Sequence, residues 1–430
     1  MWARDQRLRI TLHGGSGSMA WSLSTAVAYS DHPSQAAQQF SISITATITA
    51  TITATITATI TATEIPIHTK PYNMAPRFSM VPTKMPLLGK ITLEEAFQPP
   101  FNMEAATGTN IDMYVYKERA PEYLSGIVNI KDRVMEARTT GVGYTVCSLT
   151  VPGVQGETDP ATAEAFATRS NNWIADQIKA YPTELGAFGA VSMHNPKQAA
   201  VEMTRCIKEL GFCGIMVNNW QQAVTATGER TLLLYDRPEY DVFWSTLEEL
   251  DVPLYLHPSA PEAQIFDLLY KDHPYLIGPP SSFAIDVSTH VISLITNGVF
   301  DRHPKAQLII GHMGERMPYD FDRTHRWLEQ VEKPRGMVAK KTLYQYFQEN
   351  IWLTTSGQFS TPVMNYCVNL VGADRILFSV DYPYESYQDA SNWFDNMDLN
   401  TRDKLKIGRE NAKKLLKLGK YKDCDAPYHQ

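Results

Sequence analysis

The sequence predicts an α/β protein folded as a closed (β/α)8 barrel, and three features predict it. Eight short β-rich apolar runs recur between residues 90 and 381, each followed by a helix-patterned segment. The runs are apolar throughout, not alternating, as strands are when parallel pairing and crossover helices bury both faces. Each run also stops abruptly on a polar or ionisable residue. In a barrel all strand C-termini open onto one face, so residues remote in sequence converge there.

The runs, in order, are Lys90 to Glu94, Tyr144 to Thr150, Gly186 to His194, Gly214 to Asn219, Val252 to His257, Gln307 to His312, Ile351 to Ser356 and Arg375 to Asp381. Within the first, Glu94 and Glu95 are adjacent, and adjacent residues on a strand point to opposite sides. If Thr92 and Glu94 face inward, Glu94 reaches the barrel mouth and Glu95 faces the helices or a neighbour. The fifth run places His257 just before Pro258, which stops the strand. In the sixth, Gly311 and Gly314 let backbone approach closely, and Glu315 is spaced to orient the His312 ring and raise its basicity. Helix capping is the other use of Glu315. The eighth run ends on Asp381, and a carboxylate that closes so apolar a strand needs a partner.

Strand four ends Asn218-Asn219-Trp220, without a lysine or carboxylate. A two-metal hydrolase site needs a bridging anionic ligand there, which an amide cannot supply. Two carboxylates and one or two imidazoles suit a single divalent ion with positions open to a ligand, zinc first among them and manganese or magnesium next.

A barrel of ~250 residues with insertions absorbs most of this 430-residue chain, so one large domain is expected over residues 85–425. The net charge is −7, without a basic stripe interleaved with aromatics, which argues against a nucleic-acid partner. No apolar run approaches the ~20 residues that cross a bilayer. The five cysteines are scattered, odd in number and without a C-x-x-C pair, as expected of unpaired thiols in a reducing, cytoplasmic setting. Residues 1–84 read as a low-complexity, disordered extension. It holds five tandem Ile-Thr-Ala-Thr copies from Ile44 to Thr63, a faintly transit-like segment with Arg4, Arg7 and Arg9, and a proline-rich linker from Pro66 to Pro86. Met85 would make a sensible start for the barrel.

With Glu94, His257, His312 and Asp381 in hand, the chain resembles the metal-dependent aromatic decarboxylases of the amidohydrolase superfamily, above all fungal 2,3-dihydroxybenzoate and salicylate decarboxylases. The segments that carry the resemblance include GKITLEEAF (Gly89 to Phe97), DVPLYLHP (Asp251 to Pro258), GHMGE (Gly311 to Glu315) and RILFSVDYPYE (Arg375 to Glu385), within a match over nearly all of Gly89 to Lys422. The resemblance implies that Glu94, His257 and Asp381 bind the metal and that His312 and Glu315 act beside the substrate. It implies Phe283, Thr150, Tyr384 and Asn218 as substrate contacts, and a homo-oligomer. Glu94-Glu95-Ala96 replaces the His-x-His found on the first strand of typical superfamily hydrolases, which leaves a lactone, amide or ester hydrolase as the second reading. Departures from that family's pattern fall at Asn219, Trp220, Asp286 and Arg316, where they bear on substrate identity.

The reaction so implied is non-oxidative decarboxylation of an ortho-hydroxybenzoate, with no organic cofactor. Direct loss of CO2 would leave an in-plane ring carbanion without π-stabilisation, so the carboxyl-bearing carbon must be protonated first. Asp381 is the expected general acid, with His312 and Glu315 handling the phenol proton.

Overall fold

The computed structural model describes residues 86–103, 115 and 117–419, together with three short strands nearer the amino terminus. The chain divides into two compact units, Met1–Ser79 and Met80–Gln430. In the first, Trp21–Leu23, Phe40–Thr45 and Thr57–Ala62 pair antiparallel, with Ile42 opposite Ile60. The arginine-bearing amino-terminal segment, much of the tetrapeptide repeat and the linker up to residue 85 lie outside the described residues.

The second unit is the expected barrel. Its eight parallel strands are β1 (Lys90–Phe97), β2 (Val142–Leu149), β3 (Leu185–Ala190), β4 (Gly214–Asn218), β5 (Leu254–His257), β6 (Leu308–Ile310), β7 (Ile351–Thr354) and β8 (Ile376–Leu377), each paired with the next in chain order. Helices follow the strands, among them Ile130–Thr139, Pro160–Ile178, Pro196–Lys208, Asp241–Leu250, Ser282–Thr296 and Thr361–Val371. Between β4 and its helix the chain inserts an antiparallel hairpin, Gln221–Val224 with Arg230–Leu233.

Alternation along the strands sorts the core into two layers. Ile91 and Leu93 of β1, Val146 of β2, Phe188 of β3, Met216 of β4, Tyr255 of β5, Ile309 of β6, Trp352 of β7 and Leu377 of β8 form the cluster inside the barrel. Their neighbours, such as Ile215, Leu256, Ile310 and Leu353, pack against the helices. This overturns the premise that Thr92 and Glu94 share an inward face. Lys90 and Thr92 point outward, to Asp395 at 2.8 Å and Thr145 at 3.3 Å. Glu94 reaches the interior because β1 bulges there: the register with β2 shifts between Leu93 and Glu95, and Glu94 takes a φ of 87°. The extra residue lets Glu94 follow Leu93 inward and turns Glu95 outward.

Glu95 then closes the barrel. Its carboxyl accepts the backbone N–H groups of Val380 and Tyr382, both at 3.1 Å, and Ala96 N donates to Tyr382 O at 2.7 Å. Ser379 Oγ adds to the seam by accepting from Leu93 N at 3.1 Å. β8 is short because Thr355 takes over its backbone: Oγ1 donates to Ser379 O at 2.7 Å and accepts from Ser379 N at 2.9 Å. Arg133, fully buried on the helix outside β1, donates to the Glu95 and Gly126 carbonyls. Burial pushes the Glu95 carboxyl up to about 8 against these donors.

None of the helices among the described residues is long and apolar enough to cross a membrane. The four described cysteines, Cys147, Cys206, Cys213 and Cys367, are buried and unpaired.

Candidate metal centre

Glu94, His257 and Asp381 meet at the C-terminal end of the barrel, with one ligand atom from each lying within 4.8 Å of the others. His257 sits two residues beyond inward-facing Tyr255 and so enters the mouth by strand parity. Its Nδ1 lies 3.0 Å from Asn218 Oδ1 and 2.8 Å from Pro258 O. Both neighbours accept, so Nδ1 carries a proton and Nε2 is the nitrogen turned inward. Nε2 is 3.1 Å from Glu94 Oε1. Glu94 Oε1 is buried and has no hydrogen-bond partner. A buried carboxylate oxygen and an imidazole nitrogen turned toward one another beside Asp381 leave a place that a cation fits. The second Glu94 oxygen is held by the hydroxyl of Tyr255, which also contacts Thr354 Oγ1 at 3.0 Å. A side chain at Gly311 would come within 3.1 Å of both Glu94 oxygens, so glycine keeps that side open.

His312 and Glu315 follow β6 on an unusual piece of backbone. His312, Met313, Gly314, Glu315 and Arg316 all have positive φ, between 50° and 82°, which makes a left-handed helical turn. For non-glycine residues that conformation costs roughly 1–2 kcal/mol each. Such strain persists where surrounding structure enforces it, and it clusters at functional sites. Here the turn brings side chains three residues apart together: His312 Nδ1 lies 2.5 Å from Glu315 Oε1. The other ring nitrogen is 3.5 Å from Glu94 Oε1 and 3.6 Å from Asp381 Oδ2. Asp381 is itself at φ 79°.

The environments of the two central carboxylates diverge. Burial would raise Glu94, but His312 and His257 outweigh it and hold the group down at about 2. Burial pushes Asp381 up to about 6, with the Glu94 charge adding and His312 opposing. Burial disfavours charge on His312, yet Glu315 and Glu94 overcome it and hold the imidazole well above its ordinary range.

The expected substrate contacts fall into separate groups. Phe283 lines a cleft of about 590 Å³ together with His312 and Glu315. Thr150 Oγ1 and Tyr384 OH lie 2.8 Å apart, and Tyr384 OH is 3.2 Å from Tyr123 OH. Asn218 is engaged with His257, and its amide nitrogen closes on Gly153, where an added Cβ would come within 2.3 Å of it. Next to it, Asn219 Oδ1 accepts from His290 Nδ1 at 3.2 Å. Trp220 is buried, its indole nitrogen without a partner among the described residues. Asp286 is buried too, and burial, with Glu315 adding, pushes its carboxyl up to about 7. Tyr255 and Thr354, which hold Glu94, were not singled out in the sequence. Their signal is parity, since Tyr255 is two residues before His257.

A family model described as amidohydrolase matches residues 129–418. The gamma-resorcylate decarboxylase of Polaromonas sp. is 37% identical, over 77% of this chain and 99% of that protein. The 2,3-dihydroxybenzoate decarboxylase of Aspergillus niger is 24% identical, over 50% of this chain and 100% of that protein. The crystal structure of the Polaromonas sp. dihydroxybenzoic acid decarboxylase, with bound manganese and the inhibitor 2-nitroresorcinol, superposes with a TM-score of 0.72 at 37% identity, covering 77% of this chain and 98% of that one. By its sequence, its barrel and its metal-ligand cluster, the chain belongs to the aromatic acid decarboxylases of the amidohydrolase superfamily.

Proposed function

We propose that this enzyme removes CO2 from an ortho-hydroxybenzoate without oxidation, and that Glu94, His257 and Asp381 hold one divalent ion. The observation that carries the reading is the buried Glu94 Oε1, without a hydrogen-bond partner, facing Nε2 of His257 beside Asp381. The manganese in the related crystal structure supports manganese as well as zinc for that ion. When bound, the ion would supply positive charge that stabilises the anionic substrate.

The chain's own residues do the rest. Asp381, on the carboxyl oxygen that would not hold the ion, delivers a proton to the ring carbon that bears the carboxylate. A C–H bond forms there, and the phenolate supplies the electron pair. The bond to the carboxylate then breaks, CO2 leaves, and the electron pair returns to the ring and restores the phenolate. The His312–Glu315 pair, 2.5 Å apart, manages the phenol proton: the charged imidazole donates to the phenolate oxygen and stabilises that anion. Phe283 and the Thr150–Tyr384 pair bound the ring. The same reading makes the enzyme a cytosolic homo-oligomer.

The test is a panel of ortho-hydroxybenzoates, including 2,6- and 2,3-dihydroxybenzoate and salicylate, incubated with protein stripped of metal and reloaded with manganese, zinc or magnesium. CO2 release that depends on added metal is expected. Hydrolysis of aryl esters or lactones with no CO2 from any acid would replace this reading with the hydrolase.

A further inference from the structure

The strand ladder stops short where it borders the metal centre. β3 and β4 pair last through Ala190 and Met216. Carried one step further, the parallel pattern would have Asn218 N donate to Val191 O. On the β5 side it is carried further: His257 and Asn218 are paired, and Asn219 N donates to His257 O at 2.7 Å. On the β3 side the strands part, and the side chain of Gln155 fills the gap. Its Oε1 accepts from Asn218 N at 3.0 Å, and its Nε2 donates to Val191 O at 2.9 Å. One side-chain amide thus stands in for a peptide and replaces one ladder bond with two.

Gln155 is buried, on the turn Val154–Gly156 that follows β2. It is itself held in place by buried Gln221, three residues beyond Asn218. Gln221 Nε2 donates to Gln155 O at 3.2 Å and to Glu157 O at 2.9 Å, and its Oε1 accepts from Met193 N at 3.1 Å. Two glutamines therefore fix the ends of β2, β3 and β4 to one another. Asn218 is the residue that this arrangement aims. Gln155 sets its backbone, its amide nitrogen closes on Gly153, and its Oδ1 lies 3.0 Å from His257 Nδ1.

We propose that Gln155 is a positioning residue for the metal centre, acting through Asn218 to hold His257 in its ligating orientation. The wedge keeps β3 and β4 apart at the mouth and the Asn218 side chain turned toward β5. Without it, Asn218 N is free to close onto Val191 O and to draw the side chain off His257. The inference rests on Glu94, His257 and Asp381 being the metal ligands, as read above.

The test is the affinity of the full chain, stripped of metal, for manganese, measured by competition with a chelator and independent of turnover. Gln155→Met keeps the bulk of the side chain and removes both hydrogen bonds. It should weaken manganese binding about tenfold, the lower end of what an outer support contributes. Gln155→Glu keeps an acceptor for Asn218 N but loses the amide donor to Val191 O, and should fall between, at about threefold. Circular dichroism and denaturant midpoints establish that each variant is folded. The cycle with Asn218→Ala separates positioning from general loosening: if Gln155 works through Asn218, adding Gln155→Met to Asn218→Ala should cost less than about twofold more. A loss of about tenfold that repeats in the Asn218→Ala background overturns the inference, as does wild-type affinity in both Gln155 variants. Wild-type protein that binds neither manganese nor zinc removes the ligand assignment itself and the role of Gln155 with it, whereas a tight wild-type site unmoved by the variants removes the role of Gln155 alone.

Discussion

His257 Nε2 and Glu94 Oε1 stand 3.1 Å apart, because Asn218 and Pro258 accept on the Nδ1 side and turn Nε2 inward. The donor set therefore depends on a residue that never touches the ion. Asn218→Ala removes one of the two acceptors at Nδ1 and frees the ring to rotate or change tautomer. Metal affinity should fall about 10- to 100-fold, the usual cost of losing such a support. Competition with a chelator, read by elemental analysis, measures it. Unchanged affinity would mean that Pro258 O alone orients the ring.

Asp381 and Glu94 are two carboxyls near one imidazole, yet one is held near 6 and the other near 2. Asp381→Asn keeps an oxygen at the site but carries no transferable proton. Decarboxylation should drop by about 10²- to 10⁴-fold, the range for losing a general acid, while Glu94 and His257 retain part of the metal binding. CO2 release and bound metal should be measured on the same preparation. Turnover within threefold of wild type would remove Asp381 from the proton-donor role.

The polar ends of strands one, five, six and eight were legible because a charged residue closing an apolar strand has few physical excuses. The route by which they converge was not. Glu94 enters through a bulge at φ 87°, and nothing at that position, such as a glycine, announces a left-handed backbone. Simple alternation therefore selected Glu94 while assigning Thr92 to the wrong face. Gly311 and Gly314 hinted at a tight passage after β6, but four ordinary side chains, His312, Met313, Glu315 and Arg316, share the left-handed turn. That conformation follows from packing around the turn, not from local preference. The seam made by Glu95 depends on closure between residues nearly 300 positions apart, which no local pattern encodes. The Asn218 contact with His257 depends on register between β4 and β5, where the two residues are directly paired.

His290 offers a pH dependence that is independent of activity. Its Nδ1 donates to Asn219 Oδ1, its Nε2 accepts from Tyr235 N at 3.0 Å, and burial pushes the ring down to about 3. The folded state holds it neutral, whereas the unfolded chain takes up a proton below about 6.5. Stability is thus intact above pH 6.5 and is lost as pH falls toward 3, by about 1.4 kcal/mol per unit, or about 2 kcal/mol by pH 5. Urea midpoints from pH 7.5 to 4.5 should show this loss in the wild-type protein. His290→Gln should be less stable at pH 7.5 but lose less on acidification, and parallel curves for the two proteins would rule His290 out as the source.

Glu95 should matter to folding more than to chemistry. Its carboxyl accepts from Val380 N and Tyr382 N across the gap between the first and last strands, where regular strand pairing is absent. Glu95→Ala leaves two buried backbone donors unsatisfied, at roughly 1–3 kcal/mol each, so about 3–4 kcal/mol of stability should be lost. Glu95→Gln retains one acceptor oxygen and should lose about half as much. Denaturant midpoints report both, with an unchanged slope if the unfolded state is unaffected. Because the same seam sets the spacing of Glu94 and Asp381, the alanine variant should also bind metal more weakly even at temperatures where it stays folded. An alanine variant of wild-type stability would place the closure of the barrel elsewhere, on Ser379 and the Ala96–Tyr382 hydrogen bond.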